Sequence, residues 1–159
     1  MININKVNIR KYTDQNAKEV SEIIYNDIVN IFVNYYEWKL INDFTENSRT
    51  NNIIKRAREK WKLTFIAEYN EEVVWIIWLS WNQLRTFHTK YKKIWIWTQL
   101  FNHIKNVVIK SGWKEIYVHS LINSSHIYKK MWFKKIKDDF DYSDNSWIKY
   151  KIIIMKYTI

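Results

Sequence analysis

Apolar positions along the chain switch between two periods, and the switches lay out the elements. Ile4, Val7 and Ile9 recur among polar neighbours in the first dozen residues, which predicts a strand over 1–12. Thr13 or Asp14 can cap a following helix in which Ala17, Val20, Ile24, Ile28 and Ile31 fall at helical spacing. A second helix is predicted over 42–60, with Thr45 or Ser48 as caps and Ile53, Ile54 and Ala57 facing inward. Residues 62–68 read as a strand, Asn70, Glu71 and Glu72 as a tight turn, and 73–79 as a strand apolar throughout, hence buried on both faces. A fourth strand spans 83–88. From Thr98 to Lys110 the set Leu100, Phe101, Ile104, Val107 and Val108 marks an amphipathic helix, and Gly112 stands where a helix end needs left-handed backbone. Strands over 114–120, 133–136 and 147–156, a short helix over 123–131 and a loop over 138–146 complete the chain. The order β-α-α-β-β-β-α-β-α-β-β describes a mixed α/β layer with no internal repeat and no linker.

Composition narrows the classes. A chain of 159 residues, 47% hydrophobic, fits one domain over 1–159, which buries roughly 70% of its unfolded surface. The longest clear apolar run, Val73 to Leu79, falls far short of the roughly 18 residues a membrane helix needs. No basic–apolar–small leader pattern opens the sequence, so a cytoplasmic location without a membrane partner is expected. The absence of cysteine excludes disulfides and thiolate metal sites. His88, His103, His119 and His126 lie on different elements without ligand spacing, so no metal site is expected. The net charge of +10 invites an anionic partner, but the abundance of Lys, Asn and Ile is what A/T-rich coding produces. Most of the lysines are therefore read as solvated surface.

Glycine and tryptophan are the compositional outliers. Average usage would give about 11 glycines in this length; the chain has one glycine and ten tryptophans, and no proline. The segment YKKIWIW (91–97) joins the fourth strand to the helix from Thr98. In such a connection, backbone N–H groups and the helix dipole favour an anion, and a basic residue at Lys92 adds charge. Close approach of backbone to a diphosphate wants glycine at two points, where the chain has Trp95 and Trp97.

Three segments carry a resemblance to the GNAT (GCN5-related) superfamily of N-acetyltransferases, which covers nearly the whole chain and is strongest from Phe65 to Ile136. FIAEYNEEVVWIIWL (65–79) is similar to the family's second and third strands, with Trp75 and Trp78 at its glycine places. YKKIWIW resembles the acyl-CoA loop R/Q-x-x-G-x-G/A, with Lys92 at the first position and Trp95 and Trp97 at the glycines. NSSHIYKKMWF (123–133) resembles the helix N…A..FYEKMGF, with Trp132 at a glycine. Five of the ten tryptophans thus stand on glycine positions of the family. Trp38, Trp61, Trp81, Trp113 and Trp147 fall at loops or element ends. Substitution by one residue type at matched sites, beside the glycine deficit, predicts that the codon written here as Trp is read as Gly in the source. A native intact mass agreeing with ten tryptophans would contradict it.

The resemblance implies a mixed, mostly antiparallel sheet of six or seven strands flanked by about four helices. It further implies acetyl-CoA as co-substrate, with no metal, and acetyl transfer to a primary amine of a small molecule or protein. Lys92, Lys93, Ile94, Trp95, Ile96, Trp97 and Thr98 would hold the pyrophosphate, the backbone of Phe87 and His88 the pantetheine arm, and Asn123 the cofactor or the helix end. Tyr128 matches the family tyrosine that protonates the leaving thiolate; a phenol of pKa near 10 stays protonated beside a thiol of pKa near 8.5. His119 and Glu68 are candidates for the general base, each weighed against a structural or solvated role, and Gln83 stands where some relatives place an acid. The assembly expected is a monomer or homodimer. The alternatives are a catalytically impaired GNAT fold, or a basic nucleic-acid- or protein-binding module whose aromatics stack on bases. The latter ranks lower because no recognised binding motif accompanies the charge. No G-x-S-x-G elbow or P-loop is present.

Overall fold

The computed structural model describes residues 7–91 and 94–159. The elements run β1 (Val7–Lys11), α1 (Ala17–Ile31), α2 (Trp38–Asn47), α3 (Thr50–Ala57), β2 (Lys62–Tyr69), β3 (Glu72–Ser80), β4 (Gln83–Thr89), α4 (Ile94–Lys110), β5 (Glu115–Leu121), α5 (Ser125–Lys130), β6 (Lys134–Tyr142) and β7 (Lys149–Thr158). The strands form one sheet of order β1-β2-β3-β4-β5-β7-β6. Neighbours are antiparallel except β4 and β5.

Both faces are covered. On one, Leu100, Phe101 and Ile104 of α4 pack on Phe65, Trp75, Ile77 and Val118. On the other, Val20, Ile24 and Ile28 of α1 and Ile53 of α3 pack on Ile66, Ile76 and Trp78. Central β3 is buried at every position after Glu72, which is why its sequence is continuously apolar instead of alternating.

Several boundaries differ from the sequence expectation. The single helix over 42–60 is two helices, and it starts earlier, at Trp38. Ser48 ends α2: its N–H bonds to the carbonyl of Phe44, its hydroxyl to that of Thr45, and Arg49 takes the N-cap position of α3. Neither Thr45 nor Ser48 acts as an N-cap. Residues 94–97 are the first turn of α4 and not a loop. Alternating Ile and Trp resembles a strand, but packing against Trp75 and Phe87 overrides that local preference. The first part of the expected loop over 138–146 is strand, since β6 continues to Tyr142, and only residues 143–146 of it turn. β6 is the sheet edge, where a strand rich in lysine and aspartate is stable and resists pairing with other chains.

The loop between β6 and β7 is tied to α2 by Asp43, which is buried. Its carboxylate accepts bonds from the Ser146 hydroxyl at 2.9 Å and from the N–H groups of Asn145 and Ser146 at 3.3 Å. Burial works against the charge, but hydrogen bonds from Ser143 and Ser146 and from the loop backbone prevail and hold the carboxyl below its ordinary value. A depressed folded-state value contributes stability that is complete above the unfolded value, near 3.9, and is lost as pH falls towards the folded one. Melting scans below about pH 4 are therefore expected to show a shallower loss for Asp43→Asn than for the parent.

Two helix ends permit a direct comparison of glycine with tryptophan. After α4, Gly112 N–H bonds to the carbonyl of Ile109 at 2.9 Å and Trp113 N–H to that of Val108 at 3.1 Å, with Gly112 at φ +82°. After α5, Trp132 N–H bonds to Lys129 and Phe133 N–H to Tyr128, both at 3.0 Å, with Trp132 at φ +68°. This is the same Schellman closure, and its left-handed position prefers glycine. Trp81, first of the two residues turning β3 into β4, has φ +58°, and Trp147 has φ +52°. In the core, the indole N–H groups of Trp75 and Trp78 are buried without a hydrogen-bond partner.

Candidate active site

β4 and β5 start side by side and then part. Their parallel pairing consists of Gln83 with Tyr117 and Leu84 with Val118. Next along β4, Thr86 pairs with Trp78 and Leu84 with Leu79 of β3, leaving Arg85 as an extra residue. Such a bulge bends a strand and frees its far edge. Beyond it the β5-facing edge of residues 85–89 has no strand partner among the described residues, and a cleft of about 720 Å³ opens there, lined from β4 and β5 and from α1, α2, α3 and α5.

Tyr128 faces this cleft from α5. It is 8% exposed and packs edge-to-face on Phe133, with 5.6 Å between ring centres. The Schellman closure holds its carbonyl, so the helix end itself positions the residue. Burial, and then the charge of Asp27, push its phenol well above the ordinary tyrosine value. It is a proton donor across the whole neutral range.

His88 lines the cleft from β4, and its Nδ1 lies 2.8 Å from Asp27 Oδ2 on α1. Asp27 was not among the residues singled out from the sequence. Its signal is legible, since an acid at 27 shares the inward stripe of Val20, Ile24 and Ile31. His119 lines the opposite wall, its Nδ1 buried without a hydrogen bond and 3.6 Å from Asp141 Oδ2. Glu68 is elsewhere: it is held by Arg10, whose Nε donates to it at 2.9 Å, and it is not in the cleft lining. That engagement removes Glu68 as a general base.

Asn123 sits in the short turn between β5 and α5. It makes no capping bond; its Oδ1 accepts from the Tyr36 hydroxyl at 3.4 Å, while Nδ2 is buried with no partner. An unsatisfied buried donor costs about 1–3 kcal/mol, which an incoming acceptor atom can recover. Phe87 points to the opposite face of the sheet from His88. Its ring lies 3.7 Å from that of Trp97 between centres, and Trp97 also meets Trp75 at 5.0 Å. The Trp97 indole is thus packed inward, into the core under α4. Lys92 and Lys93 lie outside the described residues, as do the side chains of Ile94, Trp95 and Ile96. Thr98 is exposed in the second turn of α4.

The whole arrangement of sheet and helices superposes on solved structures. A GCN5-related N-acetyltransferase from Rhodopseudomonas palustris superposes with a TM-score of 0.82 at 15% identity, over 96% of this chain and 95% of that one. The fold is that of the GCN5-related N-acetyltransferases. The PaiA N-acetyltransferase of Thermoplasma acidophilum, solved in complex with coenzyme A, matches at 0.75 with 18% identity over 96% and 99%. A putative acetyltransferase of Salmonella typhimurium, YncA, solved with acetyl-CoA, matches at 0.67 with 11% identity over 97% and 94%. No protein-family model matches the sequence, and no curated protein does.

Within this GCN5-related fold, the residues present can be tested against acetyl-CoA. The first N–H groups of a 17-residue helix lack intrahelical acceptors, and its dipole favours a diphosphate. The unpaired edge of β4 at Phe87 and His88 can take an extended arm by strand-like hydrogen bonds, and Asn123 Nδ2, in the turn after β5, is a spare donor. Since the Trp97 ring is turned into the core, it does not by itself cover those amides. The donor set fits the molecule.

Proposed function

We propose that this protein transfers the acetyl group of acetyl-CoA to a primary amine by direct attack, as a single N-acetyltransferase domain acting in the cytoplasm as a monomer or homodimer. The observation that carries this is the parting of β4 and β5 beside buried Tyr128. An amine entering from the α1 and α2 side and a thioester lying along β4 would meet where His88 and Tyr128 line the cleft. The amine nitrogen attacks the thioester carbonyl, the C–S bond breaks, and Tyr128 gives its phenolic proton to the sulfur. Holding the two reactants in one cleft supplies much of the rate, because it converts a bimolecular encounter into a local one. No covalent enzyme intermediate is needed.

The net charge of +10 keeps a nucleic-acid-binding reading in the test. In melting scans at moderate salt, acetyl-CoA is expected to raise the transition and a short oligonucleotide is not. Thiol release with a panel of primary amines should then follow. Stabilisation by the oligonucleotide alone would favour the binding module instead.

A further inference from the structure

We infer that Asp27 and His88 form a dyad in which His88 Nε2 takes the proton lost by the attacking amine, an assignment that rests on the acetyl-transfer function proposed above. The contact between His88 Nδ1 and Asp27 Oδ2 is 2.8 Å, and the two side chains are only 14% and 13% exposed. A carboxylate can only accept, so the proton in that contact belongs to Nδ1. Nε2 then carries the lone pair, which is the tautomer a base requires. The Phe32 ring, 6.3 Å away between centres, further restricts the imidazole. A base oriented by a buried acid is the arrangement that activates nucleophiles in unrelated enzymes.

Placement supports the role. His88 and Tyr128 line one cleft from different elements, and the Asp27 charge is felt at the phenol, so acceptor and donor of protons share the same space. The other ionisable groups lining it are Lys55 and Arg56 of α3, Glu59, Lys62 of β2, Arg85 of β4, His119 of β5, Asp141 and Tyr142 of β6, Asp144, and Tyr150 of β7; Glu59 is engaged by Lys62 and Asp144 by Arg56. None of them is held as a base should be. Nothing hydrogen-bonds His119 Nδ1, and it stands 3.6 Å from Asp141, so no partner fixes its tautomer.

The step balances. As the C–N bond forms, the nitrogen loses one proton to His88 Nε2; as the C–S bond breaks, the sulfur gains one from Tyr128. The products are the acetylated amine and the free thiol, and water returns the proton from the imidazolium to the phenolate.

The test uses the full chain, with thiol release measured against a panel of aliphatic primary amines and against water as acceptor. His88→Gln is expected to lower kcat by about 100- to 10,000-fold, with acetyl-CoA affinity and melting temperature retained. Isosteric Asp27→Asn should lower kcat in the same direction, because it loses the partner that fixes the tautomer. In both, the loss should fall on kcat and not on KM for the amine. Added imidazole should restore turnover to His88→Ala, which a purely packing role would not allow. Turnover of His88→Gln close to the parent's would overturn the dyad and leave acetyl transfer standing. A parent that fails to bind acetyl-CoA, or binds it and acetylates no acceptor, would overturn acetyl transfer and the dyad with it.

Discussion

Tyr128→Phe lowers kcat for amine acetylation by about 100-fold or more, while the affinity for acetyl-CoA stays that of the parent. The substitution removes one oxygen and keeps the ring against Phe133, so the helix end and the core under it are preserved. What disappears is the proton for the departing sulfur. The thiolate must then leave unprotonated or wait for water, in a cleft that α1, α2 and α5 partly close. Burial and Asp27 raise the phenol, so ionisation of Tyr128 lies above its ordinary value near 10. The sign follows directly: the donor form is retained through neutral pH, and kcat should show no alkaline loss attributable to Tyr128 below about pH 10. A pH profile of kcat, with single-turnover rates to isolate the chemical step, checks both statements. Equal turnover for Phe and Tyr at this position would remove Tyr128 as the proton donor.

Replacing Trp81, Trp132 and Trp147 together by glycine should stabilise the fold by about 2 kcal/mol. Left-handed backbone costs an L-residue roughly 1–2 kcal/mol, from which the extra unfolded-state freedom of glycine subtracts about 0.5–1. The indoles contribute little burial to offset the strain, being 70%, 82% and 76% exposed. The matched closure at Gly112 shows the geometry with its preferred residue in place. For a chain of this length, about 2 kcal/mol corresponds to a melting shift of roughly 4–8 °C. Trp61→Gly is the control: Trp61 is also exposed but is not among the positive-φ residues, so no gain is expected there. No rise in the triple variant, or an equal rise in the control, would rule out backbone strain at these tryptophans. The same three φ values also bear on the expectation that a codon written as Trp is read as Gly, which native intact mass decides.

What was legible in the sequence follows its periodicity. β2, β3 and the body of α4 have one face or both buried, and their apolar spacing states it plainly. The first turn of α4 did not read as helix, because Ile and Trp in alternation favour a strand and only contacts with Trp75 and Phe87 decide otherwise. Only the start of β6 read as strand, over 133–136, and its continuation to Tyr142 did not, because an edge needs no apolar face. In the site, the resemblance singled out Tyr128 as proton donor and His88 for its backbone, and both residues line the cleft. Asp27 was missed although its place on the inward stripe of α1 is legible, because spacing along α1 does not name its partner, 61 residues away on β4. Glu68 was proposed for the same reason in reverse: nothing nearby in sequence announces Arg10, 58 residues away.

The most direct test is a calorimetric titration with acetyl-CoA, with amide hydrogen exchange followed on the same sample. One saturable site is predicted, with slowed exchange along 85–89 of β4 and in the first turn of α4. Absence of binding heat, or protection that bypasses both segments, would contradict an acetyl-CoA site between the parted strands.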